Sequence, residues 1–534
     1  MPEQPPQASD PADLTALAPL KVMAFRMLWG TWLVANTCMW MSDVAAAWMM
    51  TSMTTTPIWV ALVQTSATLP VFLLGLPSGA LADILDRRRY FIATQFWIAG
   101  VATLLCIAVV SGVMTPPLLL ALTFANGIGL AMRWPVFAAI VPELVPRAQL
   151  PAALALNGIA MNASRIVGPL IAGALIAGMG TQYVFVLNAV LSVISGFVIM
   201  RWRRTHTPNP LGRERLVGAM RVGMQYVWQS SRMRVVLVQV AMFFLHSTAL
   251  LALLPLVARG LHTEGAGTFT LLLASMGAGA ICAALGMPRL RQWLPRNALV
   301  LRATLLQSAA AVVVAVAPNV WVAALAMAVN GVAWITCANV LSVSAQLSLP
   351  DWVRARGMSM YQMAIMGGSA GGAALWGQTA TVTSVPTALF VAALSGSVCM
   401  YLAQRWITDN SLEEDLTPSR EFKPPVAEEP PGNGQVVVTI EYVIDPQRAH
   451  DFKTLMLESR RSRLRQGALG WELLRVMGKP GHYQEQIIDD SWTEHLRRFD
   501  RVTASDVSLR ERKLAFHVGG EPPVITRCVI DVLA

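Results

Sequence analysis

The feature of this sequence that most constrains its fold is a succession of apolar runs. A helix of about 20 apolar residues crosses the hydrocarbon core of a bilayer, and runs of this length are too long for the buried helices of a small soluble core. We count twelve runs, which predict an all-α membrane protein with spans at approximately 27–49, 58–82, 91–111, 118–140, 154–178, 181–200, 235–257, 267–287, 298–317, 319–341, 359–382 and 386–404.

The charged residues divide the chain near residue 408. Residues 1–408 carry 24 basic and 10 acidic side chains, whereas the remaining 126 residues carry 17 basic and 21 acidic ones. The first part is too poor in charge for an ordinary soluble enzyme. Its arginines interrupt apolar runs instead of lying on a polar surface suited to nucleic acid. We therefore expect a membrane part followed by a soluble domain, and no nucleic-acid partner.

The arginines also predict how the spans are oriented. When alternate loops are assigned to the two sides of the membrane, one side receives 17 arginines and the other receives Arg259 alone. Positively charged short loops remain in the cytoplasm. The pattern therefore predicts a multi-pass protein of the cell (inner) membrane with both termini in the cytoplasm.

The six cysteines are scattered along the chain, and five of them lie within apolar runs. Their spacing is typical of neither a disulfide framework nor a metal site. We therefore expect no metal and no cofactor.

The longest loop follows the sixth span and divides the spans into two halves of six. The segment at 142–147, after the fourth span, resembles the segment at 350–356, after the tenth. Many secondary transporters build alternating access from such repeats, with a binding site near the bilayer midplane. The predicted organisation is a disordered N-terminal tail at 1–23, a six-helix half at 24–200, a basic cytoplasmic loop at 201–234, a second six-helix half at 235–408, a Pro/Glu-rich linker at 409–434 and a cytoplasmic domain at 435–534.

The C-terminal domain alternates between strand and helix patterns. A strand at 435–444 precedes an amphipathic helix at 446–466, a hairpin follows at 471–488, and a final strand is expected at 524–533. Ser491 and Glu494 form the pattern of a capping box, which predicts a surface helix carrying Trp492 and His495. The order βαββαβ predicts a ferredoxin-like α+β fold. We expect no acid–base pair in this domain.

The segment GALADILDRRR at 79–89 resembles the loop signature of the major facilitator superfamily between its second and third spans, although Ile84 and Asp86 depart from it. With the segments at 142–147 and 162–169, it resembles the enterobactin-exporter-like branch, the transmembrane secretion effectors. This resemblance implies a transporter that exports a small molecule in exchange for protons. The C-terminal domain is similar to antibiotic-biosynthesis monooxygenase domains, which pair with one another and can oxidise aromatic compounds without a cofactor.

The loop signature and the end of the fourth span predict a cytoplasmic gate. A carboxylate at a helix end can accept from helix N-terminal amides or pair with guanidinium groups. Such pairs would hold the inner side closed in the outward-facing state. The alternative is that the arginines only anchor the helices to lipid phosphates. The residues assigned to the gate are Gly79, Asp83, Asp86, Arg87, Arg88 and Glu143.

Charge within the apolar spans is costly and functional by default. Arg302 lies near the start of its span and can reach the interface, which leaves four ionisable residues as candidates. Asp43 is the sole carboxylate inside a span, and it is expected to couple transport to protons together with His246. Arg165 and Arg133 are expected to contact substrate, with Arg165 nearer the middle of its span. The alternatives are an idle Asp43 at the outer interface, and arginine and histidine side chains that only bond neighbouring helices.

Two family motifs are altered in this chain. In the fifth span, Gly158, Gly168, Pro169 and Gly173 resemble an imperfect antiporter motif, which favours export, although tight helix packing explains such small residues equally well. In the fourth span, Thr123 and Asn126 stand where the family usually has Arg and Gln. A proton-transfer account based on that arginine is therefore in doubt.

Two functions remain open at this level. The first is a proton-driven exporter of a siderophore-like, drug-like or other small metabolite, with the lipid bilayer, the substrate and protons as partners. The second is a bifunctional protein whose C-terminal domain modifies the compound that the spans export. The C-terminal domain is also a candidate for self-association.

Overall fold

The computed structural model describes residues 17–530 except 147–148, 203–215, 262–264, 351, 408–414, 420, 423–424 and 426–433. Within this part of the chain, ten helices are long and apolar enough to cross a membrane. The helices up to residue 407 are α1 Met23–Met53, α2 Pro57–Ile84, α3 Arg87–Val110, α4 Pro116–Leu144, α5 Leu150–Gly178, α6 Thr181–Met200, α7 Leu216–Gln229, α8 Ser231–Gly260, α9 Gly265–Trp293, α10 Arg296–Ala315, α11 Val320–Leu347, α12 Arg354–Val382 and α13 Val385–Ile407.

Two of the twelve predicted spans, α1 and α12, are not among these ten helices. They are long enough, with 31 and 29 residues. Their central stretches are less apolar, because α1 contains Asn36 and Asp43, and α12 contains Gly367, Gly371 and Gln378.

Local sequence signals set several helix boundaries. Proline lies in the first turn of α2, α4 and α5, where its missing N–H would have had no helical partner. The side chain of Asp86 caps α3 by accepting a hydrogen bond from the Arg89 amide at 2.9 Å. Loop residues thus end one span and start the next.

The two halves of the spans meet along α2 with α12 and along α5 with α9. Thr65 donates through Oγ1 to the Ala370 carbonyl at 3.0 Å. A Cβ added at Gly377 would clash with Ala61, and one added at Gly173 would clash with Thr270. Small residues therefore let helices of opposite halves approach closely, as is usual in membranes.

Residues 213–237, 343–358 and 407–534 form a second compact unit. Its sheet contains β1 Val436–Val443, β2 Gly470–Arg475, β3 His482–Asp489 and β4 Ile525–Val529, all antiparallel, in the order β2-β3-β1-β4. Helix α14 (Ala449–Arg465) follows β1, and α15 (Trp492–Phe499) and α16 (Ala504–Leu514) follow β3. The alternate strand residues Val436, Val438 and Tyr442 are buried, so one sheet face forms the core.

Two helices in this unit were not predicted from the sequence. Helix α16 starts with a complete capping box, in which Thr503 and Asp506 bond each other's backbone amides. Helix α7 lies inside the basic loop after the sixth span and packs against α14. Ser491 does cap α15 by accepting from the Glu494 amide, but the Glu494 carboxylate bonds Arg497 and Arg501.

Helix α7 also contacts the loop between α11 and α12 inside the second unit. The Tyr226 hydroxyl donates to the Ser348 carbonyl at 3.2 Å, and the Tyr226 ring meets the Trp352 ring edge-on at 5.7 Å. Gln225 donates through Nε2 to the Ala468 carbonyl at 2.9 Å. Helix α7 and the connection between α11 and α12 thus belong to the same unit as the sheet.

Candidate functional site

The Arg165 guanidinium lies between the two halves of the spans. Its Cζ is 5.4 Å from the centre of the Trp40 ring in α1 and 4.6 Å from that of Trp334 in α11. Both distances suit cation–π contact. Among the described residues, Arg165 Nε has no hydrogen-bond partner. This position offers a positive charge and two aromatic faces near the middle of three helices.

Arg133 has a different setting, because it is enclosed within the first half. It is 1% exposed, and its Cζ lies 5.3 Å from the centre of the Trp32 ring. The Trp32 ring stacks on Phe137 with centroids 3.9 Å apart. Within the part of the chain that the structure describes, Nε and Nη2 of Arg133 donate to no partner. Arg133 therefore faces α1 and lies away from the junction that holds Arg165.

Asp43 lines a small cavity inside the first half, formed by α1, α3, α4 and α6. The polar residues around it are Ser42, Thr123, Asn126 and Asn188, and no described lining residue is basic. Asn188 holds Ser42 through a hydrogen bond of 2.5 Å. Thr123 and Asn126 are the altered positions of the fourth-span motif. These two positions therefore line the same cavity as the Asp43 carboxylate.

His246 lines a corresponding cavity in the second half, formed by α8, α10 and α13. Its Nδ1 lies 2.7 Å from the Met242 carbonyl, and its ring lies 5.7 Å from Trp376. Thr304, Gln307 and Ser308 supply the polar wall. The structure therefore keeps Asp43 and His246 in separate halves and does not bring them together.

The structure describes the surroundings of some residues of the predicted gate. Asp86 caps α3, and Arg88 donates to the carbonyls of Met200 at 2.7 Å and Trp202 at 2.5 Å, at the end of α6. A cation at a helix C-terminus is electrostatically favoured. The surroundings of Gly79 and the side chains of Asp83 and Glu143 lie outside the described part of the structure, and Arg87 has interacting partners of its own.

The small residues of α5 serve close packing at two of their positions. A Cβ at Gly168 would approach the Trp40 Cβ to 2.6 Å, and one at Gly173 would overlap Thr270. At Gly158 no described atom lies within 4 Å of such a Cβ. Pro169 is buried inside the helix next to this contact. Helix α5 thereby holds Trp40 beside Arg165.

In the C-terminal domain, the expectation of a surface His495 and no acid–base pair was wrong. His495 is 2% exposed, because α15 turns this residue towards the sheet. Its Nδ1 lies 2.8 Å from Asp489 Oδ2, and Arg498 donates to both oxygens of Asp489 at 2.8 and 2.7 Å. Arg527 Nε lies 3.4 Å from the other ring nitrogen. The i, i+3 spacing of His495 and Arg498 places them on one face of α15, and this spacing was the sequence signal that could have predicted their shared partner.

A second buried group in this domain centres on Glu485 of β3, which is 0% exposed. Lys513 Nζ donates to it at 3.1 Å, Trp471 Nε1 at 2.8 Å and the Ser459 hydroxyl at 2.7 Å. Burial alone would raise the pKa of Glu485, but Lys513, Arg463 and these hydrogen bonds lower that pKa to about 2. The carboxylate is therefore ionised and stabilises the folded domain.

This lowered pKa predicts acid sensitivity of the C-terminal domain. Because the folded-state pKa of Glu485 lies below the usual 4.5, its stabilisation is complete above pH 4.5 and is lost as the pH falls towards 2. We expect a loss of about 2 kcal/mol by pH 3. Hydrogen-exchange protection of β3 amides, corrected for intrinsic rates at each pH, measures it. The Glu485→Gln variant should lack this component, and an unchanged pH profile would contradict the assignment.

Three solved transporters share the fold of the membrane part. The nucleoside transporter NupG has a TM-score of 0.60 at 12% identity and covers 72% of this chain and 99% of its own. An auto-inhibited POT family peptide transporter has 0.62 at 12%, covering 74% and 99%. The fucose:proton symporter FucP of E. coli, a major facilitator superfamily transporter, has 0.51 at 15%, covering 73% and 99%. At these identities the likeness shows the fold alone.

Two curated transporters resemble parts of the sequence. The staphyloferrin A transporter of Staphylococcus aureus (strain NCTC 8325 / PS 47) is 21% identical over 256 residues, 48% of this chain and 64% of the relative. The uncharacterized MFS-type transporter YfiS of Bacillus subtilis (strain 168) is 29% identical over 143 residues, 27% of this chain and 33% of the relative. The chain spans less than two thirds of the length of either relative.

The sequence profile described as transmembrane secretion effector matches residues 14–532, which include both the spans and the C-terminal sheet. The match agrees with the helical membrane part and its structural neighbours. The chain therefore belongs to the MFS-type transmembrane secretion effector family and is a multi-pass membrane protein.

Proposed function

We propose that this protein exports a small organic anion in exchange for protons, by alternating access. The observation that carries the proposal is the position of Arg165 between Trp40 of the first half and Trp334 of the second. A site at the junction of two halves opens to opposite sides of the membrane as the halves rock. A guanidinium remains charged there, so it favours an anionic cargo.

The nature of the site supports a carboxylate-bearing cargo with an apolar or aromatic body. Guanidinium groups bind carboxylates through paired hydrogen bonds, and tryptophan faces contact apolar surface. One relative is a staphyloferrin A transporter, which supports a siderophore-like metabolite as the cargo class. Drug-like anions fit the same chemistry.

Asp43 is proposed as the proton-binding group. It lies about 10 residues, or 15 Å of helix, from the outer end of α1, and it is three residues from Trp40. Carboxyl groups can change protonation state during transport, whereas Arg165 cannot. A shift of α1 would therefore alter both the cavity of Asp43 and the aromatic wall of Arg165. His246 is a second proposed coupling group, and Arg133 a second substrate contact.

The remaining architecture is proposed from the same observations. Helices α1 and α12 complete twelve spans, with both termini in the cytoplasm and the protein in the inner membrane. The strand order β2-β3-β1-β4 supports a ferredoxin-like C-terminal domain. The gate is assigned to Gly79, Asp83, Asp86, Arg87, Arg88 and Glu143, with support from the contacts of Arg88 with the end of α6.

The export proposal is tested by comparing small molecules in culture medium and cell extracts. The three strains are the native host, a deletion strain and the deletion strain carrying the wild-type gene. In the deletion strain, we expect at least one carboxylate-bearing compound to be lost from the medium and to accumulate in the cells. The wild-type gene should restore its amount in the medium. A compound that instead accumulates in the medium on deletion would indicate import and contradict the proposal.

A second function, modification of the cargo by the C-terminal domain, is favoured by the Asp489–His495 pair. A histidine oriented by a carboxylate at Nδ1 can act as a base through its other nitrogen. His495 lines a cavity in this domain, and its Nε2 accepts a hydrogen bond from Arg527 Nε there. Oxygen consumption by the purified full-length protein with phenolic aromatic compounds tests it. Turnover that His495→Asn abolishes would support the enzyme, and no turnover would leave transport as the sole function.

A further inference from the structure

A cavity of about 500 Å³ lies in the C-terminal domain between the sheet and helices α14 to α16. Val438, Ile440 and Ile487 form its floor, and Phe499 and Leu514 lie on its helical side. Small-molecule sites are commonly apolar pockets of roughly 300 to 1,000 Å³ with a few polar groups. The cavity therefore has the size and floor of a ligand site.

The polar groups of this cavity are mostly positive. Two of its basic groups, Arg498 and Lys513, are 7% and 2% exposed and pair with the buried carboxylates of Asp489 and Glu485. Glu421 is the acidic residue among the described lining residues. Five basic groups against these three carboxylates leave an excess of two positive charges. The basic lining residues are Arg463, Arg498, Arg510, Lys513 and Arg527.

Arg510 and Arg527 are the cations best placed to receive a ligand. The Arg510 guanidinium lies 4.9 Å from the Phe422 ring, and Arg527 Nε lies 3.4 Å from His495 Nε2. Neither is paired with a carboxylate among the described residues. Both are exposed, so a ligand can reach them without disturbing the two buried ion pairs.

We propose that this cavity is a regulatory site for a small organic anion with an apolar or aromatic body. The anionic group binds Arg510 and Arg527, and the body lies on Ile440 and Phe499. A charged acceptor between two guanidinium groups forms charge-assisted hydrogen bonds, and the apolar floor favours burial of the rest of the ligand. The site is separate from the one at Arg165 and regulates transport instead of carrying cargo.

A continuous series of contacts links the cavity to cytoplasmic connections of the transporter. Gln466 lines the cavity, and its carbonyl accepts a hydrogen bond from Arg501 Nη1 at 2.8 Å. The Arg501 guanidinium lies 5.1 Å from the Trp352 ring, which meets Tyr226 of α7. Packed side chains of this kind can carry coupling between sites. A ligand that moves Gln466 therefore acts on α7 and on the loop before α12.

The binding test uses the full-length Arg165→Gln protein in nanodiscs, which lacks the charge of the proposed cargo site, and 2-naphthoate as the probe. Equilibrium dialysis, corrected with empty nanodiscs, should give saturable binding, with 2-naphthylmethanol at least about tenfold weaker because it lacks the charge. Arg510→Gln and Arg527→Gln should each weaken binding about tenfold. Arg512→Gln is the matched control, since Arg512 lies on the same helix and pairs with Glu458 instead. Equal binding of the neutral compound, or an equal effect of Arg512→Gln, would overturn the proposal.

Hydrogen exchange then locates the site and tests regulation. The probe should protect peptides covering α15 and α16, and it should change the exchange of α7. Trp352→Leu should keep the affinity but weaken the response of α7, because the ring between Arg501 and Tyr226 is removed whereas the packing of α7 on α14 remains. Protection elsewhere would overturn the site, and a wild-type α7 that does not respond would overturn the regulatory role.

Discussion

Replacing Arg165 by glutamine should lower transport about 100-fold at an unchanged protein level. The variant keeps a polar side chain of similar length but loses the charge that binds the anionic group, and a hydrogen bond to a charged group contributes up to about 3 kcal/mol. Arg165→Lys should lose less, because it keeps the charge but not the forked geometry. Uptake of labelled cargo into inverted membrane vesicles measures the effect.

Arg259→Gln is the matched control for this prediction. The Arg259 guanidinium also lies over a tryptophan ring, 5.3 Å from the centre of Trp48, but near the C-terminal end of α8. If transport required only a cation–π contact, both variants would lose activity. Near-normal transport by Arg165→Gln would remove Arg165 from the substrate site.

Replacing Asp43 by asparagine should abolish the response of transport to a pH gradient. Asparagine has nearly the same shape and can bond Ser42 or Asn188, but it takes up no proton in the cycle. Gradient-driven uptake into proteoliposomes should fall to the level seen without a gradient. Exchange of internal for external cargo needs no net proton movement, so it should persist.

Ser42→Ala is the control for Asp43→Asn, because it alters the same cavity and leaves the carboxylate in place. We expect it to keep most of the response to the gradient. Asp43→Glu should keep part of it. A full response in Asp43→Asn would exclude this carboxylate as the coupling group and direct attention to His246.

Ten of the twelve spans were predictable from sequence because the bilayer requires long apolar helices, whereas α1 and α12 are less apolar. The strands of the C-terminal sheet were predictable for a similar reason, since Val436, Val438 and Tyr442 alternate with outward residues. Helix α16 was overlooked because its buried face includes Asp506 and Lys513, which read as surface residues. Helix α7 was not predicted because the arginines of residues 201–234 led us to interpret the whole segment as a loop.

The candidate sites were predictable only as single residues. Burying an ionisable group in a membrane costs free energy, and this cost identified Asp43, Arg133, Arg165 and His246 as candidates. No sequence rule predicted that Arg165 lies between Trp40 and Trp334. The groups around Glu485 and His495 were hidden for a related reason. Their partners come from different strands and helices, so the pairing of charges appears only once the sheet register is known.

The grouping of α7 and residues 343–358 with the C-terminal sheet bears on how this protein can be shortened. A stop codon after the last span would remove the sheet but retain α7. Val222 would lose its contact at Gly467, and Gln225 would lose the Ala468 carbonyl. A poorly expressed truncation would then report on newly exposed apolar side chains and say little about transport. A cleaner dissection replaces Gln225 and Trp352 while the chain keeps its full length.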